Sequence, residues 1–263
     1  MSEGRAKLLL LHGFLSSRNA WAPLRRELDD METIAPDMLG YGRAAHDGQQ
    51  YTLDAIVADL LPVVERERPT HVIGHSMGGI VALALAQQAA GTMDAVGVIG
   101  LPVFRDRADG TQFLRSRGVV YRNFLRGDRV AHYACACLHR TSRVWLPFAP
   151  LLLPRQPREV LRTTFDHCPG SHRGSLDQVV FAGVVQGLAE RVETPVFALH
   201  GSRDRTAPLD RARELARQEG WDFRLARNVG HQLPIERPQL AARWIRQFIL
   251  RPAPAASSEA AAG

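Results

Sequence analysis

The feature that most constrains this chain is a repeated exchange between short unbroken apolar runs and longer segments with helical spacing. "KLLLLHG" (7–13), "METIAPDM" (31–38), "THVIGH" (70–75), "DAVGVIGLPV" (94–103), "TPVFALHG" (194–201) and "WDFRLARNVGH" (221–231) read as strands, several of them running on into loops. An apolar run without alternation fits a strand covered on both faces, the usual condition of a parallel sheet. Between the runs lie helical segments at 20–30, 52–67, 78–90, 208–220 and 237–250. In 52–67, Leu53, Ile56, Val57, Leu60, Leu61 and Val64 share one face, and Pro62 is expected to kink the helix. The alternation predicts an α/β fold: a doubly wound, mostly parallel sheet of about six strands with helices on both faces.

From 104 to 190 the alternation stops. This stretch is rich in Arg, holds Cys135, Cys137 and Cys168, and has a proline-dense middle, "WLPFAPLLLPRQPRE" (145–159). It reads as an insertion into a core made of 1–103 and 191–250. "RPAPAASSEAAAG" (251–263) is a low-complexity tail expected to be disordered.

The turn after the third run carries chemistry. In "VIGHSMGGIV" (72–81) three glycines surround Ser76. A phosphate loop would need Lys after the glycines, and none stands there. The dinucleotide spacing G-x-G-x-x-G is absent too. The pattern that does fit is G-x-S-x-G over Gly74–Gly78. Here a nucleophile takes a strained turn, and the residues two before and two after it must lack side chains. Gly79 would let the following helix lie close to the sheet.

A lone Ser hydroxyl is a weak nucleophile and needs a base held by an acid. Asp204 follows the run at 194–201, and His231 follows the one at 221–229, so both stand on loops after later strands. The backbone N–H groups of Met77, next to the nucleophile, and Phe14, in "LHGF" (11–14), are the candidate oxyanion donors. Asp37, His12, His75 and His200 are read as structural, and Asp210 as a surface charge on a helix.

Other chemistries are weaker. On a helix, His132, Cys135 and His139 of "HYACACLH" (132–139) share a face, but Cys137 lies about 200° around from Cys135, so one zinc site cannot use both. No metal and no cofactor is expected. Three cysteines fit no disulfide framework and suit a reducing compartment. The net charge of +6 comes almost wholly from Arg spread along the chain, with Lys7 the only Lys, so no nucleic-acid partner is expected. No apolar run approaches the roughly 18 residues of a membrane span, and the N-terminus lacks a signal-peptide cleavage pattern. A cytoplasmic protein is expected, of unknown oligomeric state.

Taken in order, HGF (12–14), "PDMLGYGRA" (36–44), GHSMGG (74–79), HGSRD (200–204) and GH (230–231) resemble the α/β-hydrolase superfamily of serine esterases and their relatives. The resemblance covers 7–103 and 191–250. It implies that 104–190 is a helical cap and that the first strand lacks the hairpin that commonly precedes it. It also implies a small-molecule ester or related acyl substrate, cleaved through an acyl-enzyme on Ser76 with His231 as base and Asp204 as its acid. Ser at the elbow, rather than Asp, separates the chain from the dehalogenases and epoxide hydrolases of the superfamily. A thioesterase, lactonase, perhydrolase or acyltransferase would use the same residues. A C–C hydrolase or lyase holding a carboxylate on the cap arginines (Arg105, Arg107, Arg115, Arg117, Arg122, Arg126, Arg129) and a non-catalytic binding protein remain alternatives.

Overall fold

Four leucines in a row, Leu8–Leu11, open the fold, and all four are fully buried. They belong to β1 (Lys7–Leu11), followed by β2 (Glu32–Ile34), β3 (His71–His75), β4 (Ala95–Ile99), β5 (Val196–Gly201) and β6 (Trp221–Ala226). In this computed structural model, which describes residues 6–46, 48–118, 137, 140–148, 157–161 and 167–250, these strands form one six-stranded sheet in the order β2-β1-β3-β4-β5-β6. Every pairing is parallel, so all strand carboxyl ends lie along one edge. β1 and β3 are neighbours in register Leu8↔His71 to Leu11↔Gly74. The chain leaves β1 toward β2 on one side and β3 toward β4 on the other. That reversal opens a crevice at the strand ends.

The connecting helices are α1 (Ala22–Glu27), α2 (Leu53–Glu67), α3 (Met77–Gln88), α4 (Arg107–Arg115), α5 (Ser142–Trp145), α6 (Arg158–Leu161), α7 (Pro169–Ser175), α8 (Val185–Arg191), α9 (Leu209–Leu215), α10 (Leu233–Glu236) and α11 (Pro238–Ile249). Successive side chains of a strand face opposite ways, so each strand feeds two cores. Leu9, Leu11, Val72, Val96 and Val98 pack with α2, α3 and α8. Leu8, Leu10, Ile73, Ile99 and Leu199 pack with Trp21, Leu24, Ala241 and Ile245 from the α1 and α11 side. Both faces are therefore covered, which is why the strands are apolar throughout.

Two expectations change in detail. The segment 52–67 runs through Pro62 as one assigned helix, capped by Thr52, whose hydroxyl accepts the Ala55 N–H at 3.2 Å. The helix expected over 208–220 stops at Leu215, and Gly220, at φ +80°, turns the chain into β6.

Most of the insertion's central stretch lies outside the described residues, as does 251–263. The part described has no separate core. Phe104, Leu114, Leu176, Val179 and Phe181 join the cluster that covers α3 and one sheet face, and Val185 and Leu188 of α8 join the same cluster. A π-helical turn, Leu176–Val180, leads back toward α8. No helix among the described residues is long and apolar enough to cross a membrane.

Because β1 is buried on both faces, truncation there leaves a cavity on whichever side is cut. Leu9→Ala is expected to cost about 2–5 kcal/mol. Urea unfolding should show a lower midpoint with an unchanged slope, and an unchanged midpoint would contradict the packing described.

Candidate active site

The elbow begins with the close approach of α3 to the sheet. A Cβ on Gly74 would overlap the backbone of Gly78, and a Cβ on Gly78 would overlap the carbonyls of Leu11 and His12. With neither present, the chain turns sharply from β3 into α3. Ser76, between them, takes φ +54° and ψ −120°, a backbone that costs a non-glycine residue on the order of 1–3 kcal/mol. Its N–H donates to the Ile99 carbonyl of β4 at 2.8 Å, and its carbonyl accepts the Gly79 N–H at 2.8 Å. Met77 opens α3, so its N–H lies in the first turn, where amides have no intrahelical acceptor.

Gly13 packs directly on this turn. A Cβ there would stand 3.3 Å from the Ser76 Cβ and 3.1 Å from His75 Nδ1. Phe14 follows. Its ring meets Tyr41 edge-on at 6.4 Å and His172 of α7 at 5.2 Å, between centroids. The backbone expected to hold an oxyanion thus runs beside Ser76 and beneath a helix of the insertion.

Asp204 and His231 meet on loops after β5 and β6. The Asp204 side chain has no exposed surface. Its Oδ1 accepts the N–H groups of Thr206 at 2.7 Å and Ala207 at 2.9 Å, and its Oδ2 accepts from His231 Nδ1 at 2.7 Å. Burial pushes the carboxyl up. The attraction and hydrogen bond of His231, then His200 and the Ala207 N–H, outweigh it and hold the pKa at about 2. An ionised carboxylate only accepts, so His231 Nδ1 carries a proton, and in the neutral imidazole Nε2 is the nitrogen with a lone pair. The His231 side chain is 12% exposed. Gly100, at φ +61°, makes room for the pair: a Cβ there would stand 3.2 Å from His231 Nδ1 and 3.4 Å from Asp204 Oδ2. The loop is further tied by the Gly230 N–H, which donates to Glu236 Oε2 at 2.9 Å.

Three buried histidines surround these groups. His12 Nε2 accepts the Met38 N–H at 3.0 Å, so its Nδ1 donates to the Gly13 carbonyl at 2.9 Å. Burial pushes its pKa down to about 4, against the pull of that carbonyl and Asp37. His75 Nε2 donates to the His231 carbonyl at 2.9 Å, and the two rings lie 4.8 Å apart. Burial first and the charge of His231 second push its pKa down to about 3. His200 Nε2 lies 3.4 Å from Asp204 Oδ2 without hydrogen-bond alignment, and burial lowers its pKa too.

Asp37 lies apart from Asp204. Its Oδ1 accepts the Arg18 N–H at 2.8 Å and its Oδ2 the Arg43 N–H at 3.1 Å, which joins two loops at the rim. Asp210 is exposed in the first turn of α9. Of the insertion's arginines, Arg107 is paired with Asp177, and the Arg117 guanidinium lies 4.3 Å over the Phe113 ring. Arg122, Arg126 and Arg129 lie outside the described residues, as do His132, Cys135 and His139. Gly100 and Glu236 were not singled out by sequence. Of the two, only Gly100, closing the run "VGVIG", had a local signal.

The profile of the Alpha/beta hydrolase family matches residues 8–244. Lipase LipV of Mycobacterium tuberculosis is 36% identical over 86 residues, 32% of this chain and 33% of its own length. The chain thus spans about a third of that relative. The pyrrolizixenacetamide deacetylase of Xenorhabdus hominickii is 25% identical over 254 residues, 92% of this chain and 90% of that one. The solved esterase RhEst1 from Rhodococcus sp. superposes with a TM-score of 0.72 at 20% identity, covering 94% of this chain and 91% of its own.

Two expected outcomes follow from this geometry. Gly78→Ala forces overlap with backbone rather than with a flexible side chain, and should cost about 3 kcal/mol or more in chemical unfolding. Acid should weaken the fold well above carboxylate pH. His12 and His75 take protons near the ordinary 6.5 when unfolded but only at about 4 and about 3 when folded. As pH falls from 6.5 toward 4, the unfolded chain binds up to two more protons than the fold, and each removes about 1.4 kcal/mol per pH unit. Asp204 adds a loss only lower, from 3.8 through about 2. Urea titrations at about pH 7 and about pH 5 should differ by on the order of 4 kcal/mol. A flat profile would mean that both imidazoles charge inside the fold.

Proposed function

The chain belongs to the Alpha/beta hydrolase family, and from that premise we propose that it cleaves a carboxylic ester of a small molecule through an acyl-enzyme on Ser76. The observation that carries the reading is the Asp204–His231 pair at 2.7 Å, with the carboxylate ionised and its other oxygen filled by two backbone N–H groups. In this reading Ser76 Oγ attacks the ester carbonyl carbon while its proton passes to His231 Nε2. The carbonyl oxygen takes the negative charge between the Phe14 and Met77 N–H groups. Collapse of the tetrahedral species breaks the bond to the alcohol, which leaves with the proton from His231. Water then gives a proton to His231, its oxygen attacks the acyl carbon, and Ser76 departs with that proton as the acid is released. Asp204 keeps His231 in one tautomer and stabilises the imidazolium.

The insertion 104–190 serves in this reading as the cap. It puts His172 against Phe14, so its residues shape the pocket that the acyl or alcohol group enters. A second reading, release of an acyl group from an amide nitrogen, is favoured by the deacetylase similarity that runs along nearly the whole chain. The same residues would act, with His231 protonating the nitrogen instead of the alcohol oxygen.

Turnover of p-nitrophenyl esters of graded acyl length, beside matched acetanilides, separates the two. Ester turnover should vanish in Ser76→Ala, together with labelling by a serine-directed phosphonate. Asp204→Asn should retain the fold but lower kcat by about ten-thousand-fold, because the amide no longer fixes the His231 tautomer. No turnover of either class and no labelling of Ser76 in the wild type would sink the proposal.

A further inference from the structure

His75 precedes the elbow and takes no part in the proton path above, yet it adjoins the nucleophile turn, the base loop and the loop at Gly13. Its backbone is covalently joined to Ser76. Its Nε2–H donates to the carbonyl of His231, 156 positions along the chain, at 2.9 Å. Its Nδ1 faces Gly13, where a Cβ would stand 3.1 Å away. The ring itself lies 4.8 Å from the His231 ring, tilted by 48°. The side chain is 5% exposed, so none of these contacts competes freely with water.

We propose that His75 is a positioning residue: its neutral imidazole pins the backbone of the base loop, through the His231 carbonyl, to the nucleophile turn and the oxyanion loop. This rests on the hydrolase reading given above. The Asp204 contact fixes the His231 ring about its own side chain, and the Gly230–Glu236 bond ties the loop to α10, but neither joins it to the nucleophile turn. The His75 bond acts on the loop backbone instead, next to the Cα that carries the ring. Displacement of the base by about 1 Å is enough to cost roughly a hundred-fold in rate.

Neutrality is part of the function. The charged and titratable groups around the ring are His231, Asp204 and His12. A second imidazolium beside His231 would oppose the proton that His231 takes from Ser76. Burial and the nearness of His231 both disfavour it. A donor is still required, because the partner is a carbonyl. A neutral imidazole with its proton on Nε2 meets both conditions, and so does a glutamine, whose amide nitrogen reaches the same place. Phenylalanine fills the volume and donates nothing.

The test compares wild type, His75→Phe and His75→Gln on the best ester, with phosphonate labelling of Ser76 and thermal unfolding recorded alongside. His75→Phe should lower kcat and the labelling rate together by about ten- to a hundred-fold, with KM moved less than about three-fold. His75→Gln should recover most of that loss. A purely structural role would lower the melting point without this split and without rescue. Wild-type protein labelled with nitrogen-15 at histidine gives a readout that needs no variant to fold. His75 should keep a protonated Nε2 and a bare Nδ1 down to about pH 5. An active wild type whose Phe variant keeps full kcat, a Gln variant no better than Phe, or a His75 that titrates near 6.5 would overturn the proposal. A wild type with no turnover would instead overturn the reading beneath it.

Discussion

Everything in the candidate site depends on how closely α3 approaches β1. The helix has no side chain at Gly78 because the carbonyls of Leu11 and His12 occupy that space. This contact draws the first turn of α3 over the switch point between β1 and β3, and Ser76 has to turn through a positive φ to get there. The strain is local, and the neighbouring bonds share in holding it. The Ser76 N–H is taken by Ile99 of β4, and the Gly79 N–H by Ser76 itself. A strained residue persists only when its surroundings over-determine it. Here the register of three parallel strands and the packing of one helix all fix the same turn.

The second condition is electrostatic, and it works by keeping charge in one place. Two imidazoles, His75 and His200, are buried beside the Asp204–His231 pair, a third, His12, is buried on the neighbouring Gly13 loop, and burial depresses all of them. They offer hydrogen bonds without adding charge. The carboxylate is the exception: it stays ionised because three N–H donors meet its oxygens. A buried charge is tolerable when its hydrogen bonds are complete. The same arrangement leaves the fold sensitive to mild acid, because uncharged buried histidines favour unfolding as soon as the unfolded chain can protonate them.

Much of this was legible in the sequence, for a physical reason. A parallel sheet buried on both faces writes itself as apolar runs, and chemistry at strand ends appears as polar residues just after those runs. Ser76, Asp204 and His231 stand in that position, and Phe14 and Met77 bring their backbone N–H groups to the same strand ends. What was not legible depends on register between distant segments. That His75 meets the carbonyl of His231, or that Gly100 must lack a side chain for the sake of His231 and Asp204, follows from β3, β4, β5 and β6 lying side by side. Asp37 shows the same limit. It was read as a structural residue after the second strand, but its partners were not legible: β2 ends at Ile34, and the carboxylate collects two backbone N–H groups from loops on either side. The insertion was the least legible, because its apolar residues join the core of α3 and carry no period of their own.

The insertion is also attached where it matters for the chemistry. Arg211, on the helix that follows the Asp204 loop, makes a two-pronged pair with Asp109 of α4, and one prong also reaches the Val103 carbonyl. Arg205, beside Asp204 in sequence, donates to the Arg117 carbonyl at 2.8 Å. A partly exposed ion pair of this kind adds little stability, on the order of 1 kcal/mol or less. Its consequence is geometric. The guanidinium holds the Asp109 carboxyl below the usual range, and Asp109 also accepts the Arg105 N–H at 3.0 Å, so α4, the start of the insertion and α9 are joined through one carboxylate. On the opposite flank, His172 of α7 leans on Phe14. The insertion is thus bound to the Asp204 loop at one end and to the Phe14 loop at the other. Under the proposed reading, a substitution that repositions this segment acts on both loops at once, so selectivity and rate are expected to change together.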